Sequence, residues 1–424
     1  MANKLLSRYT KKQILLLSSV FVVRLIVGGV FIYSGFVKAI DPWGVFYKIN
    51  DYLGALQFDS LLPFATFFSF FVPVAEFTLG VFILFGCYRK AAPILLTLSM
   101  LVLLPLTGWL AVTDAVTDCG CFGDAIHISN TASFIKNIIL TALLVFLVIY
   151  NKRLKNVYGF AVQWLVFFIS SSFALIIALI GYVYQPLIDF MPFQIGTPLF
   201  GETVSEPQYT FIYEKDGTQK EFSLDSLPDE SWTFVSRYTQ AKVEGTPQLS
   251  IERDGVDITS DAISLEGDMV LYLFPQLDDV DISYTYKINE ISALARANGI
   301  DVVGLTSASM DAITEWIDLS MADYPIFDID DSILKQIARG NPAIVYVSNG
   351  KILWKRAMQS ITDEIESSQS FDIAQMGNIN KGDTTLYTLV LIYVGLLLLV
   401  LIINRTHKVI KFSLGMRDNP KNND

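Results

Sequence analysis

The chain contains few charged residues for its length. Charged side chains make up 17% of the 424 residues and hydrophobic ones make up 52%, whereas about a quarter of the residues in a soluble protein are normally charged. The apolar residues form blocks of roughly 20 or more, which are long enough to cross a hydrocarbon layer about 30 Å thick. This composition excludes an ordinary soluble protein and predicts one that crosses a membrane several times.

Six apolar segments are the candidate membrane spans. The first is too long for a cleavable signal peptide and no small-residue cleavage site follows it, so we expect it to remain as the first helix. The predicted fold class is therefore a polytopic α-helical membrane protein. The predicted spans are residues 13–37, 62–86, 91–112, 134–150, 160–186 and 385–404.

Lysine and arginine are absent from residues 114–132, which connect the third and fourth spans. Basic residues cluster instead at both ends of the chain and in the connections on the opposite side. The positive-inside rule then predicts an inner (cytoplasmic) membrane protein with both termini cytoplasmic and 114–132 periplasmic. The clusters contain Lys4, Arg8, Lys11, Lys12, Arg89, Lys90, Lys152, Arg153, Lys155, Arg405, Lys408, Lys411 and Arg417.

The long segment between the fifth and sixth spans is rich in acidic residues and contains no cysteine. Residues 201–383 carry 32 Asp and Glu against 13 Lys and Arg, a net charge of −19. Nucleic-acid binding needs a basic face, so this segment argues against it. We expect a soluble periplasmic domain over about 200–380, and the expected partners are membrane lipid and an envelope protein client or complex subunits.

The pattern of this segment alternates between strands and amphipathic helices after a strand-rich first part. Its order resembles the thioredoxin fold, with Pro342 where thioredoxins carry their cis-proline. Thioredoxins place Cys-x-x-Cys between the first core strand and the first helix, but residues 275–281 (PQLDDVD) have no cysteine. We therefore expect an α/β thioredoxin-like domain that does not exchange dithiols by itself. The predicted elements are strands at 268–275 and 300–307, helices at 282–299 and 310–321, and a hairpin at 341–358 with Asn349-Gly350 at its turn.

The chain has three cysteines, and two of them form the sequence DCGCFGD at 118–124. A disulfide between Cys119 and Cys121 closes a small ring that strains its geometry, and strained, exposed disulfides are the more oxidising ones. A redox-active pair is one interpretation; a permanent structural disulfide and two inert thiols are the others. Cys87 is expected at the cytoplasmic end of the second span, out of reach, as a small buried hydrophobe.

Metal binding at this loop is a weaker alternative. Cys119 and Cys121 could act with His127 and with Asp118 or Asp124. Their spacing matches none of the usual zinc patterns, so we predict no metal site.

The first and second predicted spans each contain one charged residue, and another charged residue lies just beyond the first span. Arg24 and Glu76 fall at similar depths and are expected to face each other, either as a pair that fixes helix packing or as part of a proton or quinone site. Lys38, with Asp41 beside it, is expected on the same side as the cysteine loop. A nearby lysine favours a thiolate, so Lys38 is a candidate helper, although lysines also commonly mark the membrane interface.

Three stretches resemble the DoxX/MauE-type four-helix membrane proteins: RLIVGGVFIYSGFVKAIDP (24–42), FVPVAEFTLGVFILFG (71–86) and DCGCFGD. The resemblance covers about residues 15–150 and implies a four-helix bundle over 13–150. MauE-type proteins are implicated in maturing disulfide-rich periplasmic proteins, and DoxX is named for a subunit of a thiosulfate:quinone oxidoreductase. The resemblance therefore implies thiol or sulfur redox chemistry at the membrane, with a quinone as a candidate electron acceptor.

Two hypotheses about function follow. The first is a membrane thiol–disulfide redox protein of the cell envelope, in which Cys119 and Cys121 exchange with envelope proteins. The second is a non-enzymatic accessory or structural subunit of an envelope membrane complex. A small-molecule transporter has less support, because no inverted repeat or pair of broken helices is evident.

Overall fold

The computed structural model describes residues 10–116, 119–153, 155–199, 209–215, 218–223, 232–239, 249–253, 256–263, 266–361, 373–379 and 382–413. The chain divides into two units. The first comprises the chain up to Phe190, residues 356–364 and the chain from Asn378 onward, and the second comprises Met191–Lys355 and residues 365–377.

The first unit is built mainly from apolar helices. Between the third and fourth long helices, the chain forms a short extended segment, β1 (Cys121–Asp124), which contains the second cysteine of the pair. The helices up to the start of the second unit are α1 (Lys11–Ile40), α2 (Pro42–Ala55), α3 (Ala65–Phe85, preceded by a 3₁₀ turn at Asp59–Phe64), α4 (Ala91–Thr113), α5 (Asn130–Ile149) and α6 (Gln163–Val183).

Small residues let α1 and α3 approach each other closely. A Cβ added at Gly80 of α3 would lie 2.7 Å from the backbone nitrogen of Ile32, and one added at Gly35 of α1 would overlap the backbone of Phe77. Membrane helices pack through such small residues because lipid gives little hydrophobic drive for association. The close approach brings the side chains of α1 near Ser34 within reach of those of α3 near Glu76.

The second unit contains a five-stranded mixed sheet with the strand order β11-β10-β7-β8-β9. Strands β7, β8 and β9 are parallel, and β10 pairs antiparallel with β7. Six of the seven residues of β7 are buried, which is why its sequence DMVLYLF is a continuous apolar run and does not alternate. The strands are β7 (Asp268–Phe274), β8 (Asp301–Thr306), β9 (Ile326–Asp328), β10 (Ala343–Ser348) and β11 (Lys351–Ala357).

The helices of this unit connect consecutive strands of the five-stranded sheet. The exception is α7, a single short turn that precedes β7 in the chain. The remaining strands form a three-stranded antiparallel sheet, with β2 between β3 and β4, and a two-stranded pair, β5 with β6. These elements are β2 (Tyr209–Lys215), β3 (Thr218–Ser223), β4 (Thr233–Thr239), β5 (Glu252–Arg253), β6 (Val256–Asp257), α7 (Thr259–Ala262), α8 (Tyr284–Ala297), α9 (Met310–Ser320) and α10 (Asp331–Ile337).

The predicted order of strands and helices in the second unit is found, within a few residues at each boundary. Asn349 and Gly350 both have positive φ, of 47° and 72°, as the predicted type I′ turn requires. The bond between Asn341 and Pro342 is cis. Four elements of this unit were not predicted, namely β4, α7, β9 and α10, and parts of the predicted strand-rich first part lie outside the described residues.

The chain returns to the first unit through its last helix, α11 (Gly382–Ser413). All six predicted spans are confirmed as helices that are long and apolar enough to cross a membrane. The chain is therefore a membrane protein with several spans. These occupy Lys11–Ile40, Asp59–Phe85, Ala91–Thr113, Asn130–Ile149, Phe160–Val183 and Thr384–Thr406.

Candidate functional site

The two cysteines between α4 and α5 are joined by a disulfide. Cys119 and Cys121 have their Cα atoms 5.4 Å apart. Gly120 and Gly123 both have positive φ, of 56° and 53°, a conformation that glycine adopts without steric cost. The backbone nitrogen of Gly123 donates a hydrogen bond of 3.0 Å to the carbonyl of Gly120. The two glycines therefore form the tight turn that contains the disulfide.

Polar contacts from two helices hold the disulfide loop, residues 119–124, and the end of the segment that precedes it. Asn130, the first residue of α5, donates from Nδ2 to Asp114 Oδ1 at 3.0 Å and to the carbonyl of Val116 at 2.9 Å. Ser34 of α1 donates to the carbonyl of Cys121 at 2.7 Å. Asp118, a member of the weaker metal hypothesis, lies outside the described residues.

A buried ion pair lies next to the contact between Ser34 and the loop. The Nζ atom of Lys38 is 2.9 Å from both carboxylate oxygens of Glu76, and their side chains are only 10% and 11% exposed. The hydroxyl of Ser34 lies 2.8 Å from Glu76 Oε2. A hydroxyl has a single proton, so at any moment Ser34 donates either to the carboxylate or to the carbonyl of Cys121. The ion pair and the disulfide loop are thereby coupled through one side chain.

The expected contact between Arg24 and Glu76 is wrong. Arg24 donates from Nε to the carbonyl of Leu84 at 2.7 Å and from Nη1 to the carbonyl of Lys155 at 2.8 Å. It lies at the carboxyl end of α3, where helix carbonyls have no partner within the helix, and so stabilises that end. The prediction estimated the depth of each side chain by counting residues along its own span. Such a count does not show that Gly28, one turn beyond Arg24, packs against Leu84.

A cavity of about 390 Å³ begins at the disulfide loop and extends between the helices of the first unit. Its volume is in the range of about 300–1,000 Å³ typical of ligand pockets. Its polar end is formed by Ser34, Lys38, Glu76 and the two cysteines. The walls beyond that end are apolar, as expected for a site that admits a hydrophobic molecule. They include Val30, Phe31, Val72, Leu79, Leu96, Met100, Leu103 and Leu140.

Lys48 of α2 also lines this cavity, and so does Lys136 of α5. The Nζ atom of Lys136 lies 4.3 Å from the centre of the ring of Phe122, the residue after Cys121. Within the part of the chain that the structure describes, Lys136 forms no ion pair. Sequence reasoning missed this residue, although a lysine within the predicted span 134–150 was itself a signal of function.

The other predicted residues are placed away from the disulfide or have structural roles. Asp41 accepts a hydrogen bond of 2.9 Å from the backbone nitrogen of Gly44 and so caps the start of α2. Cys87 is a free, fully buried thiol. No group of three His, Cys, Asp or Glu side chains that could hold a metal ion is found among the described residues, which include His127 and Asp124.

Comparisons with known proteins bear on the first unit and on a short part of the second. Residues 14–150 match the family described as Methylamine utilisation protein MauE, and residues 207–244 match a Domain of unknown function (DUF8463). Neither a curated protein nor a solved structure matches the chain.

The MauE part of the predicted resemblance, over about 15–150, is confirmed by this match, whereas the DoxX part and the thioredoxin-like fold stay predictions. The matched residues contain α1 to α5, the disulfide loop and every charged side chain that lines the cavity. It is therefore this part of the membrane protein that is similar to the Methylamine utilisation protein MauE family.

Proposed function

We propose that this protein is a thiol–disulfide oxidoreductase of the cell envelope, and that the disulfide between Cys119 and Cys121 exchanges with thiols of envelope proteins. The observation that carries the proposal is the position of this disulfide, at the polar end of an apolar cavity and next to buried charges. A disulfide with only a structural role would need neither the cavity nor the charges.

The two cysteine residues differ in exposure, which supports a direction for the exchange. Cys119 is 8% exposed and packs against Leu110 and Val116, whereas Cys121 is partly exposed. A client thiolate therefore attacks the sulfur of Cys121, and Cys119 leaves as a thiolate. A second client thiolate then attacks the client sulfur of this mixed disulfide and releases Cys121. The client dithiol loses two electrons and two protons, and the cysteine pair gains them.

The charged residues of the cavity support this chemistry. A cation near a thiol favours the thiolate, and Lys136 lies over the ring of Phe122, the residue that follows Cys121 in the chain. Ser34 connects the loop to the carboxylate of Glu76 through contacts of 2.7 and 2.8 Å. In the proposed mechanism, Lys136 stabilises the thiolates, and Glu76 with Ser34 holds and moves a proton at this end of the cavity.

The cavity also fits the head and part of the tail of a membrane quinone. Ser34, Lys38 and Lys136 offer donors to quinone oxygens, and the walls around Met100 and Leu103 would hold an isoprenoid tail. When bound, such a quinone supplies an acceptor for the two electrons and two protons that the reduced cysteine pair must lose to regenerate its disulfide.

We further propose that the disulfide loop and the second unit face the periplasm and that both termini are cytoplasmic, which is supported by the absence of Lys and Arg from 114–132. The second unit, with no cysteine at 275–281, would bind the client without exchanging thiols itself. The name of the matched family links its members to methylamine utilisation, and for this chain the proposed role is the maturation of disulfide-containing envelope proteins.

Single-cysteine variants test the proposal. Cys119→Ala leaves the accessible Cys121 thiolate without its resolving partner. By attacking the disulfide of an oxidised client, which releases one client thiolate and reverses the last step of the exchange, it should accumulate mixed disulfides, seen by mass spectrometry of non-reduced membranes. Cys121→Ala should accumulate fewer, and Cys87→Ala, as the matched control, should behave as the wild type. If neither loop variant traps a client, and a stable partner co-purifies equally well with the Cys119→Ala/Cys121→Ala double variant, the protein is an accessory subunit instead.

A further inference from the structure

A second cleft of the first unit combines basic and apolar side chains. It has a volume of about 180 Å³ and is lined by Leu17, Val20, Phe21, Arg24, Arg153 and Lys155. Arg24 lies ten residues from Ser34 on α1, about 15 Å at 1.5 Å per residue. The cleft is therefore well separated from the disulfide loop, and the proposed redox chemistry does not use it.

The cleft is a built feature, because hydrogen bonds hold its two sides together. The connection after α5 is fixed to the end of α3 by a bond of 2.9 Å from the backbone nitrogen of Val157 to the carbonyl of Phe85. Arg24, which is only 6% exposed, donates to the carbonyl of Lys155. The connection that carries Arg153 and Lys155 is thus attached to the helices through backbone atoms, and its two basic side chains remain for a ligand.

The cleft carries more positive charge than the acidic side chains among the described residues neutralise. A guanidinium has five N–H donors, and the described hydrogen bonds of Arg24 use one at Nε and one at Nη1. Arg153 and Lys155 have exposed side chains and form no ion pair within the described ranges. Three cations that converge without an acidic partner favour an anion with several oxygens, and phosphate matches the planar fork of arginine.

The apolar side of the cleft indicates which kind of phosphate it takes. Phe21 is 57% exposed although it lies within a span, so it faces hydrocarbon and not water. Leu17 and Val20 continue the same face of α1. A free phosphate would gain nothing from this surface, whereas a phospholipid would place its headgroup among the cations and an acyl chain along α1. Basic pockets between membrane helices bind anionic headgroups in this way.

We propose that this cleft is a binding site for an anionic phospholipid, whose phosphate contacts Arg24, Arg153 and Lys155 and whose acyl chain packs on Leu17, Val20 and Phe21. The site has no part in thiol exchange, so it stands or fails independently of the proposed function.

Lipid binding to the purified full-length protein tests this site by native mass spectrometry. The probes are phosphatidylglycerol and phosphatidylcholine with identical acyl chains. The wild type should bind phosphatidylglycerol about tenfold more tightly, because both lipids carry the phosphate but only phosphatidylcholine brings the positive charge of a quaternary ammonium to a cleft that already holds three cations. The double variant Arg153→Gln/Lys155→Gln should lose this preference, and Arg153→Lys/Lys155→Arg should retain it.

The matched control is Lys90→Gln/Lys152→Gln, which removes two exposed charges that the structure does not place in the cleft, and it should retain the preference. Equal loss in the control and the test variant would overturn the assignment to this cleft, as would an absence of preference in the wild type. Complete displacement of phosphatidylglycerol by an equal concentration of inorganic phosphate would show that only the phosphate group is recognised, and would overturn the assignment to a lipid.

Discussion

Ser34 of α1 donates a hydrogen bond of 2.7 Å to the carbonyl of Cys121, so a membrane helix directly contacts the backbone of the disulfide loop. The same hydroxyl lies 2.8 Å from a carboxylate oxygen of Glu76. This serine connects the charge buried between α1 and α3 to the cysteine pair, and it makes the loop responsive to changes inside the helix bundle.

Substituting Ser34→Ala should make the disulfide easier to reduce. The change leaves the Cys121 carbonyl without this donor and costs about 1 kcal/mol, so reduction of the disulfide by an added phosphine should be about fivefold faster. Ser99→Ala is the matched control, because Ser99 lines the same cavity but donates to Leu96 of its own helix. Equal acceleration in both variants would show that the contact between Ser34 and the loop does not protect the disulfide.

The Lys38–Glu76 pair should be strongly coupled. Lys38→Met or Glu76→Gln alone leaves one buried group without its partner, which typically costs about 3–5 kcal/mol, so each should lower the midpoint of thermal unfolding in detergent. The exchanged pair Lys38→Glu/Glu76→Lys should recover most of the loss. A recovered fold without recovered thiol exchange would show that the charges act in the chemistry as well as in packing, and additive losses in the exchanged variant would contradict the coupling.

Cys87 should resist alkylation in the folded protein. It lies just beyond the span Asp59–Phe85, and burial raises its pKa from 9.0 to about 12, while the charge of Arg24 acts in the opposite direction. Iodoacetamide at pH 8.5 should therefore modify it only after unfolding in dodecyl sulfate, as measured by peptide mass spectrometry. The unfolded thiol ionises from about pH 9 and the folded one only near 12, so Cys87 should lower stability as the pH rises through this window. Labelling of the native protein at pH 8.5 would contradict the burial.

Asn341 should control the mobility of residues 275–281, the segment that follows β7. Its Nδ2 donates to the carbonyl of Gln276 at 2.8 Å, and its Oδ1 accepts from the Gln276 nitrogen at 3.2 Å. Asn341→Ala should remove about 1–3 kcal/mol of local stability, seen as faster hydrogen exchange in residues 275–281. Asn298→Ala is the control, because the side chain of Asn298 donates to the carbonyl of Leu294 in the adjoining helix α8. Unchanged exchange in the Asn341 variant would show that other contacts hold this segment.

The six membrane helices could be predicted because hydropathy over about 20 residues is a property of local composition. The partners of the buried charges could not, because residue counts give the depth of a side chain but neither the neighbouring helix nor the direction in which the side chain points. Arg24 and Glu76 share a depth by counting, yet the close packing at Gly35 places Lys38 opposite Glu76.

The second unit shows the same limit. Strand β7 and helix α8 have clear patterns in the sequence, whereas β9 has only three residues, too few to display any period. The cavity was not predicted, because it is formed by side chains from several helices that are distant in the sequence.

Ser34 and Lys38 lie one helical turn apart on α1, and both contact the same carboxylate of α3. A shift of α1 by one residue along α3 would rotate the side of α1 that faces α3 by about 100°. The contacts of Ser34 and Lys38 with Glu76 would then be lost together. In a given register of these two helices, the two contacts are consequently either both formed or both absent. Widening of the cavity at this end by movement of α1 along α3 would therefore break both contacts with Glu76 at once.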